Sequence, residues 1–166
     1  MHSARRALAV GVVLVLGVVL GMDIVKVSAQ ATDARIGTWK LNVAKSKYSP
    51  GPPPQSLTVK VEPSGQGEKV TAEFVNANGS RATAGYAGAN FDGKDYPLTG
   101  SQLGATTVSL KRIDARTTER TDKKGGTVIQ TLRRVVSQDG KTMTVTTKGT
   151  NAQGQAMNNV AVFERQ

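Results

Sequence analysis

Cysteine is absent from the 166 residues, and the single histidine, His2, stands near the start of the chain. Without cysteine, the fold has no disulfides to support it, and the chain has neither a thiol nucleophile nor a soft metal ligand. His2 falls within residues 1–29, interpreted below as a cleaved leader, so the mature chain has no histidine for the Ser-His and Cys-His pairs that commonly activate nucleophiles. We therefore expect no enzyme, no catalytic residue, no metal and no cofactor.

Carboxylate pairs are the remaining catalytic possibility, because two carboxylates suffice for glycoside hydrolysis. The pairs in question are Asp92 with Asp95, around a turn, and Glu119 with Asp122. Each pair is better interpreted as turn or surface residues, and nothing else in the sequence points to a hydrolase.

Aromatic residues are also scarce, and none falls between Tyr96 and Phe163. That interval nevertheless holds a dense group of cations, in a chain of net charge +10. Single-stranded nucleic acid and sugars are bound on aromatic stacking surfaces, so we expect no nucleic-acid partner. A basic face could instead contact an anionic envelope surface, or could simply keep the protein soluble. The cations are Lys111, Arg112, Arg116, Arg120, Lys123, Lys124, Arg133 and Arg134.

The first residues have the three parts of a secretory signal peptide. Arg5 and Arg6 precede an apolar run over residues 7–22, and Val27 and Ala29 fit the small-residue rule for cleavage. A retained membrane anchor is the alternative, but charges at 23 and 26 end the run before the roughly 20 apolar residues of a span. We predict a signal peptide over residues 1–29, a single domain over 30–166, a periplasmic or secreted location and no transmembrane span after cleavage.

Alternation of apolar and polar residues dominates the rest of the chain and predicts strands. Pairs such as Asn78-Gly79 and Asp139-Gly140 stand between these segments and favour the tight turns of antiparallel hairpins. Strands in simple succession close more readily into a barrel than into a β-sandwich, which remains the alternative, because Greek-key sandwiches need a long crossover. We therefore predict an all-β, antiparallel up-and-down barrel. The alternating segments are 56–62, 68–76, 105–113, 127–137, 142–149 and 158–165.

Two segments resemble known barrels. The stretch "GTWKLN" at 37–42 resembles the Gly-x-Trp signature that opens the first strand of lipocalins and other calycin barrels, and "NNVAVFERQ" at 158–166 resembles the last strand of their fatty-acid-binding branch. Over residues 36–165 the chain is similar to small exported lipocalin-like bacterial proteins of unassigned activity. The resemblance implies a calycin or lipocalin-like barrel in which Trp39 plugs one end and Arg165 packs across its ring.

The resemblance has one departure. The fatty-acid-binding branch holds its ligand carboxylate with an inward arginine in the last strand, two residues before an aromatic residue. Here the aromatic position matches Phe163 and the arginine position falls on Ala161. That carboxylate clamp is missing, so a fatty-acid function cannot be carried over.

Two cations are candidates for the interior of the barrel. Arg112 and Arg134 alternate in phase with apolar residues, and an inward guanidinium needs an anionic partner, internal or from a ligand. Facing strands could bring Tyr86 or Tyr96 within reach. The alternative places both arginines at a wet rim. The apolar residues in phase are Val108, Leu110, Val128 and Leu132.

These observations predict an exported binding protein that holds a small amphipathic or anionic ligand in a barrel cavity, with Arg112, Arg134, Tyr86 and Tyr96 as candidate ligand-binding residues. The alternative is a structural or envelope-associated protein without a ligand, using its basic face on anionic lipid or polysaccharide. The interior separates the two, because a filled barrel would exclude a carrier.

Overall fold

The structure, a computed structural model, describes residues 33–166. The predicted signal peptide, residues 1–29, lies outside the described residues. Within residues 33–166, no helix is long and apolar enough to span a membrane. The strands are β1 (Gly37–Leu41), β2 (Ser56–Ser64), β3 (Gly67–Val75), β4 (Arg81–Ala89), β5 (Tyr96–Pro97), β6 (Thr107–Arg112), β7 (Thr117–Lys124), β8 (Thr127–Val136), β9 (Thr142–Thr150) and β10 (Ala156–Arg165), with a 3₁₀ turn at Val43–Lys45.

The ten strands form one antiparallel sheet in up-and-down order. Successive strands pair with each other except β4 with β5, which are the outer strands of the sheet, and β1 also pairs with β10, placing Trp39 opposite Arg165. The two outer strands are joined at one point, where Gly85 of β4 and Thr99 exchange two backbone hydrogen bonds of 3.0 Å. The sheet is therefore a nearly closed barrel, which confirms the predicted all-β meander and excludes the sandwich.

The joint between β4 and β5 is short. In the antiparallel register set by Gly85 and Thr99, the next pair towards β5 is Ala87 with Pro97. Proline has no N–H to donate, so the ladder cannot continue through that pair. This seam, defined by the single bridge between Gly85 and Thr99, is the only break in the ring of paired strands within the described residues.

The alternation of side chains along each strand decides which residues face the interior, with one exception in β8. Asp122 lies opposite Gln130, but the next residue, Lys123, lies opposite Val128, so Ile129 is an extra residue that forms a bulge. An extra residue reverses the side-chain alternation beyond it. The expectation that Val128 shares a face with Arg134 is therefore wrong: Val128 is 54% exposed on the outside.

Beyond β1 the chain continues beside β10 towards the mouth of the barrel, the end opposite Trp39. After the 3₁₀ turn the chain returns to β10, where Lys47 and Val160 exchange backbone bonds and Asn158 N donates to Ser49 O at 2.8 Å. The proline-rich residues 50–54, which cannot donate ladder bonds, then lead into β2. This return makes Tyr48 one of the residues that line the interior of the barrel.

Candidate ligand-binding cavity

The interior of the barrel contains a cavity of about 220 Å³. One wall, from β2, β3 and β4, is apolar, while the wall from β7 to β10 mixes apolar side chains with polar ones. Pockets for drug-sized ligands measure about 300 to 1,000 Å³, so this space suits a smaller molecule. The apolar wall consists of Leu57, Val59, Val61, Val70, Ala72, Phe74 and Ala84, and the polar side chains are Arg120, Gln130, Arg134, Thr147 and Asn159.

Arg134 is the cation that the cavity encloses most completely, with 6% of the residue exposed. Its Nε donates to Thr118 Oγ1 at 3.1 Å and its Nη1 to Tyr86 Oη at 3.4 Å. Its Nη2 forms an ion pair with Glu68 Oε1 at 2.8 Å. Among residues 33–166, Glu68 is the one carboxylate paired with Arg134.

Glu68 connects the cavity to the closed end of the barrel. Its carboxylate is 1% exposed, accepts from the Tyr86 hydroxyl and from Arg35, and faces Arg134. Burial alone would raise the pKa of Glu68, but the charges of Arg134 and Arg35 lower it below its usual value. The carboxylate is therefore ionised, and it forms ion pairs with two guanidinium groups, those of Arg35 and Arg134.

Tyr86 contacts two arginines that line the cavity, Arg134 and Arg120. Burial raises its pKa to about 12, so its hydroxyl remains protonated and donates to Glu68. The Arg120 guanidinium lies 5.1 Å from the centre of the Tyr86 ring, a cation–π distance. The phenol therefore orients both arginines without lining the cavity itself.

Arg120 is held by a carboxylate of its own strand. Asp122 accepts from Arg120 Nε at 2.6 Å and from Nη2 at 2.9 Å, and Gln130 Nε2 donates to the same carboxylate at 2.6 Å. Burial would lower the pKa of Arg120, but Asp122 and Tyr86 raise it above its usual value. Arg120 is a cation with a bidentate partner, whereas Arg134 lacks one.

The closed end is built around Trp39, which is fully buried. Its Nε1 donates to Arg35 O at 2.8 Å, and the Arg165 guanidinium lies 4.2 Å from its ring centre. Arg165 donates to three carbonyls, at Ala34, Ile36 and Gly140, and so joins the segment before β1 to the turn between β8 and β9. The arrangement combines cation–π attraction with charge-assisted hydrogen bonds.

Gly37 is required by the same arrangement. Its φ of +140° lies in a region that L side chains rarely adopt, and a Cβ at this position would lie 2.5 Å from Arg165 Nη1. The glycine of "GTW" therefore makes room for the guanidinium that covers the tryptophan.

A second group of charges surrounds Phe91 at this end. The Arg35 and Arg112 guanidinium groups lie 4.5 and 4.4 Å from its ring centre, and Asp33 accepts hydrogen bonds from both arginines. Burial alone would raise the pKa of Asp33, but the hydrogen bonds from Arg35 and Arg112 lower it to about 2. The carboxylate is therefore the anion that fixes the two cations beside Phe91.

Together these side chains form one connected charge network. Its ion pairs join four guanidinium groups, of Arg35, Arg112, Arg120 and Arg134, to three carboxylates, of Asp33, Glu68 and Asp122. With every member ionised, this network carries one uncompensated positive charge. Arg134, at the cavity, shares Glu68 with Arg35, and Arg35 shares Asp33 with Arg112.

The candidate residues from the sequence are divided between three places. Arg134 lines the cavity and Tyr86 supports it, but neither Arg112 nor Tyr96 lines the cavity. Arg112 lies 40% exposed at the closed end, and Tyr96 donates to Asp92 at 3.0 Å. Trp39 and Arg165 are in contact at the closed end.

Sequence reasoning missed several cavity residues. β7 has no apolar alternation, yet counting every second residue from Thr118 puts Arg120 and Asp122 on one face, where the structure has them. Glu68 is the second residue of β3, directly after the turn from β2, and nothing in the local sequence predicts that its side chain is buried. The others missed are Tyr48, Gln130, Thr147 and Asn159.

The basic stretch 111–134 does not form one surface. Arg120 and Arg134 face the interior, Arg112 belongs to the closed end, and Lys123 pairs with Asp95 at 2.7 Å. Adjacent strands therefore hold cations on opposite faces of the sheet, contrary to the expectation that they gather on one side.

Comparison with protein-family models finds no match, and comparison with curated proteins finds none. Among solved structures, a crystal structure of zebrafish ileal bile acid-binding protein complexed with cholic acid is similar to this chain. The identity is 16% over 80% of this chain and 99% of that chain, with a TM-score of 0.48. No ligand and no family follow from this likeness, and the barrel assignment rests on the strand pairing described above.

Proposed function

We propose that this barrel is a binding protein for a small amphipathic anion, held with its charged group at Arg134. The observation that carries the proposal is the buried Arg134 guanidinium, which lines the cavity and whose one carboxylate partner among residues 33–166, Glu68, also pairs with Arg35. A cation whose carboxylate partner is shared with a second arginine attracts an anionic ligand group, and charge-assisted hydrogen bonds strengthen that contact. The uncompensated charge of the network favours the same ligand chemistry.

The rest of the cavity supports an apolar tail. Seven side chains of β2, β3 and β4 form a wall without a polar group, so a ligand with a hydrocarbon portion gains the free energy of burying it. The interior is not filled, which is what the carrier hypothesis requires. We propose binding and not catalysis, because the cavity holds no nucleophile beside a general base.

Titration calorimetry with decanoate, decyl sulfate and the neutral decanol tests the proposal. The two anions should bind at least about 10-fold more tightly than the alcohol, which corresponds to about 1.4 kcal/mol, the scale of a charge-assisted hydrogen bond. Arg134→Met should remove this preference, while Arg112→Met, a matched change outside the cavity, should keep it. Equal binding of all three compounds, or none, would contradict the proposal.

We also propose that the protein is exported and that it belongs among calycin-like barrels. The tripartite pattern of residues 1–29 supports export. The contact of Gly37, Trp39 and Arg165 supports a calycin-like barrel. N-terminal sequencing of the protein from its own cells should give a chain that begins at Gln30 or Thr32. An intact Met1 in a membrane fraction would overturn export.

A further inference from the structure

Four of the polar side chains that line the cavity form a stripe. Arg134 on β8 pairs with Val145 on β9, and the next inward residue of β9 towards the mouth is Thr147. Thr147 pairs in turn with Asn159 on β10. The stripe, defined as Arg134, Thr147, Asn159 and Tyr48, therefore runs diagonally from the buried guanidinium to the mouth.

The mouth end of this stripe has unused hydrogen-bonding capacity. Asn159 Oδ1 accepts from Ser49 N at 2.9 Å, which fixes the amide, but its Nδ2 has no hydrogen-bond partner among the residues described. The Tyr48 hydroxyl likewise has none within residues 33–166. Burial alone raises the pKa of Tyr48 to about 12, so this hydroxyl stays protonated and can donate.

The two polar ends are separated by a definite distance. Arg134 and Asn159 lie two strands apart and two residues apart along the strand. Spacings of about 4.8 Å between strands and 3.3 Å along them place their Cα atoms roughly 12 Å apart over the sheet. A ligand anchored at Arg134 would thus bring its far end to Asn159 and Tyr48.

We propose that the ligand has polar groups at both ends: an anionic group at Arg134 and a hydroxyl or carbonyl group that bonds Asn159 and Tyr48. This inference rests on the proposed function and narrows its ligand class. A simple alkyl anion would leave its apolar end against the amide and the phenol. A second polar group satisfies them, while the hydrocarbon between the two ends lies on the wall formed by β2, β3 and β4.

Calorimetric titration of the full domain with decanoate and ω-hydroxydecanoate compares ligands that differ only at the far end. The hydroxylated acid should bind about 3- to 10-fold more tightly, because one added hydrogen bond contributes about 0.5 to 1.5 kcal/mol. Tyr48→Phe removes only the hydroxyl and should bring the two affinities close together with decanoate affinity unchanged. Tyr96→Phe, outside the cavity, should leave the difference intact.

The outcomes separate this inference from the proposed function. Equal affinities in the parent protein would overturn the two-ended ligand while leaving anion binding in place. A preference that survives both Tyr48→Phe and Asn159→Leu would overturn the assignment of these two residues. Failure of both acids to bind would count against the proposed function itself.

Discussion

The closed end and the cavity are both organised by arginine, and they use it differently. At the closed end, Arg165 donates to three carbonyls and covers an indole, so its hydrogen-bonding capacity is largely satisfied by the protein. In the cavity, Arg134 has neutral partners at Nε and Nη1, and its Nη2 faces Glu68, a carboxylate that also pairs with Arg35. A guanidinium that bonds to backbone carbonyls of two segments holds those segments together, whereas one that lines a cavity can also contact a ligand.

The two regions also differ in how far apart their parts are in the sequence. The segment Asp33–Trp39 supplies most of the closed end, and only Arg165, Gly140, Phe91 and Arg112 come from elsewhere. The cavity network joins strands β3, β4, β7 and β8, each from a different part of the barrel. The closed end should therefore stabilise the fold, and changes there should cost more stability than affinity.

Trp39→Ala should give the largest loss. Emptying the site of a fully buried indole typically costs about 3 to 5 kcal/mol, and here the change also removes the hydrogen bond to Arg35 O. Denaturant unfolding followed by far-UV circular dichroism measures it. An unchanged midpoint would mean that the closed end does not stabilise the barrel.

Arg165→Ala should cost less, about 2 kcal/mol, because charge-assisted hydrogen bonds to carbonyls and the contact with Trp39 are lost together. Arg165→Lys keeps the charge but not the planar fork, so it should recover only part of this loss. Decanoate affinity of the folded variants should not change, because Arg165 lies outside the cavity. A large loss of affinity with little loss of stability would reverse the comparison.

Acid should weaken the closed end by a smaller amount. The pKa of Asp33 falls from 3.8 to about 2 on folding, so its contribution to stability is complete above pH 4 and is lost as the pH falls towards 2. Asp33→Asn should therefore unfold with a midpoint that changes less between pH 4 and 2 than that of the parent. Equal acid sensitivity of the two proteins would assign the effect to other carboxyl groups.

Local sequence patterns predicted the fold well, because antiparallel strands can be recognised from alternating apolar and polar residues and from the glycine turns between them. They failed for β4 and β7, where alanine, glycine, threonine and charged residues replace the apolar ones. Alternation also placed Arg134 inward. It put Val128 on the wrong face, because the bulge at Ile129 reverses the alternation. It also could not show that Arg112 lies outside the cavity and Arg134 inside, because residues distant in sequence, such as Asp33, decide where each side chain lies.

The seam between β4 and β5 has a consequence for how the barrel fluctuates. Backbone amides in a continuous ladder exchange with solvent only when several bonds open together, whereas an isolated bridge can open alone. Gly85 and Thr99 bond to each other across the seam, and Pro97 prevents neighbouring bonds from reinforcing them. Their amides should exchange with deuterium well before those of the β8–β9 ladder, so the native barrel opens first along one line of its wall, beside Tyr86 and the arginines that it orients.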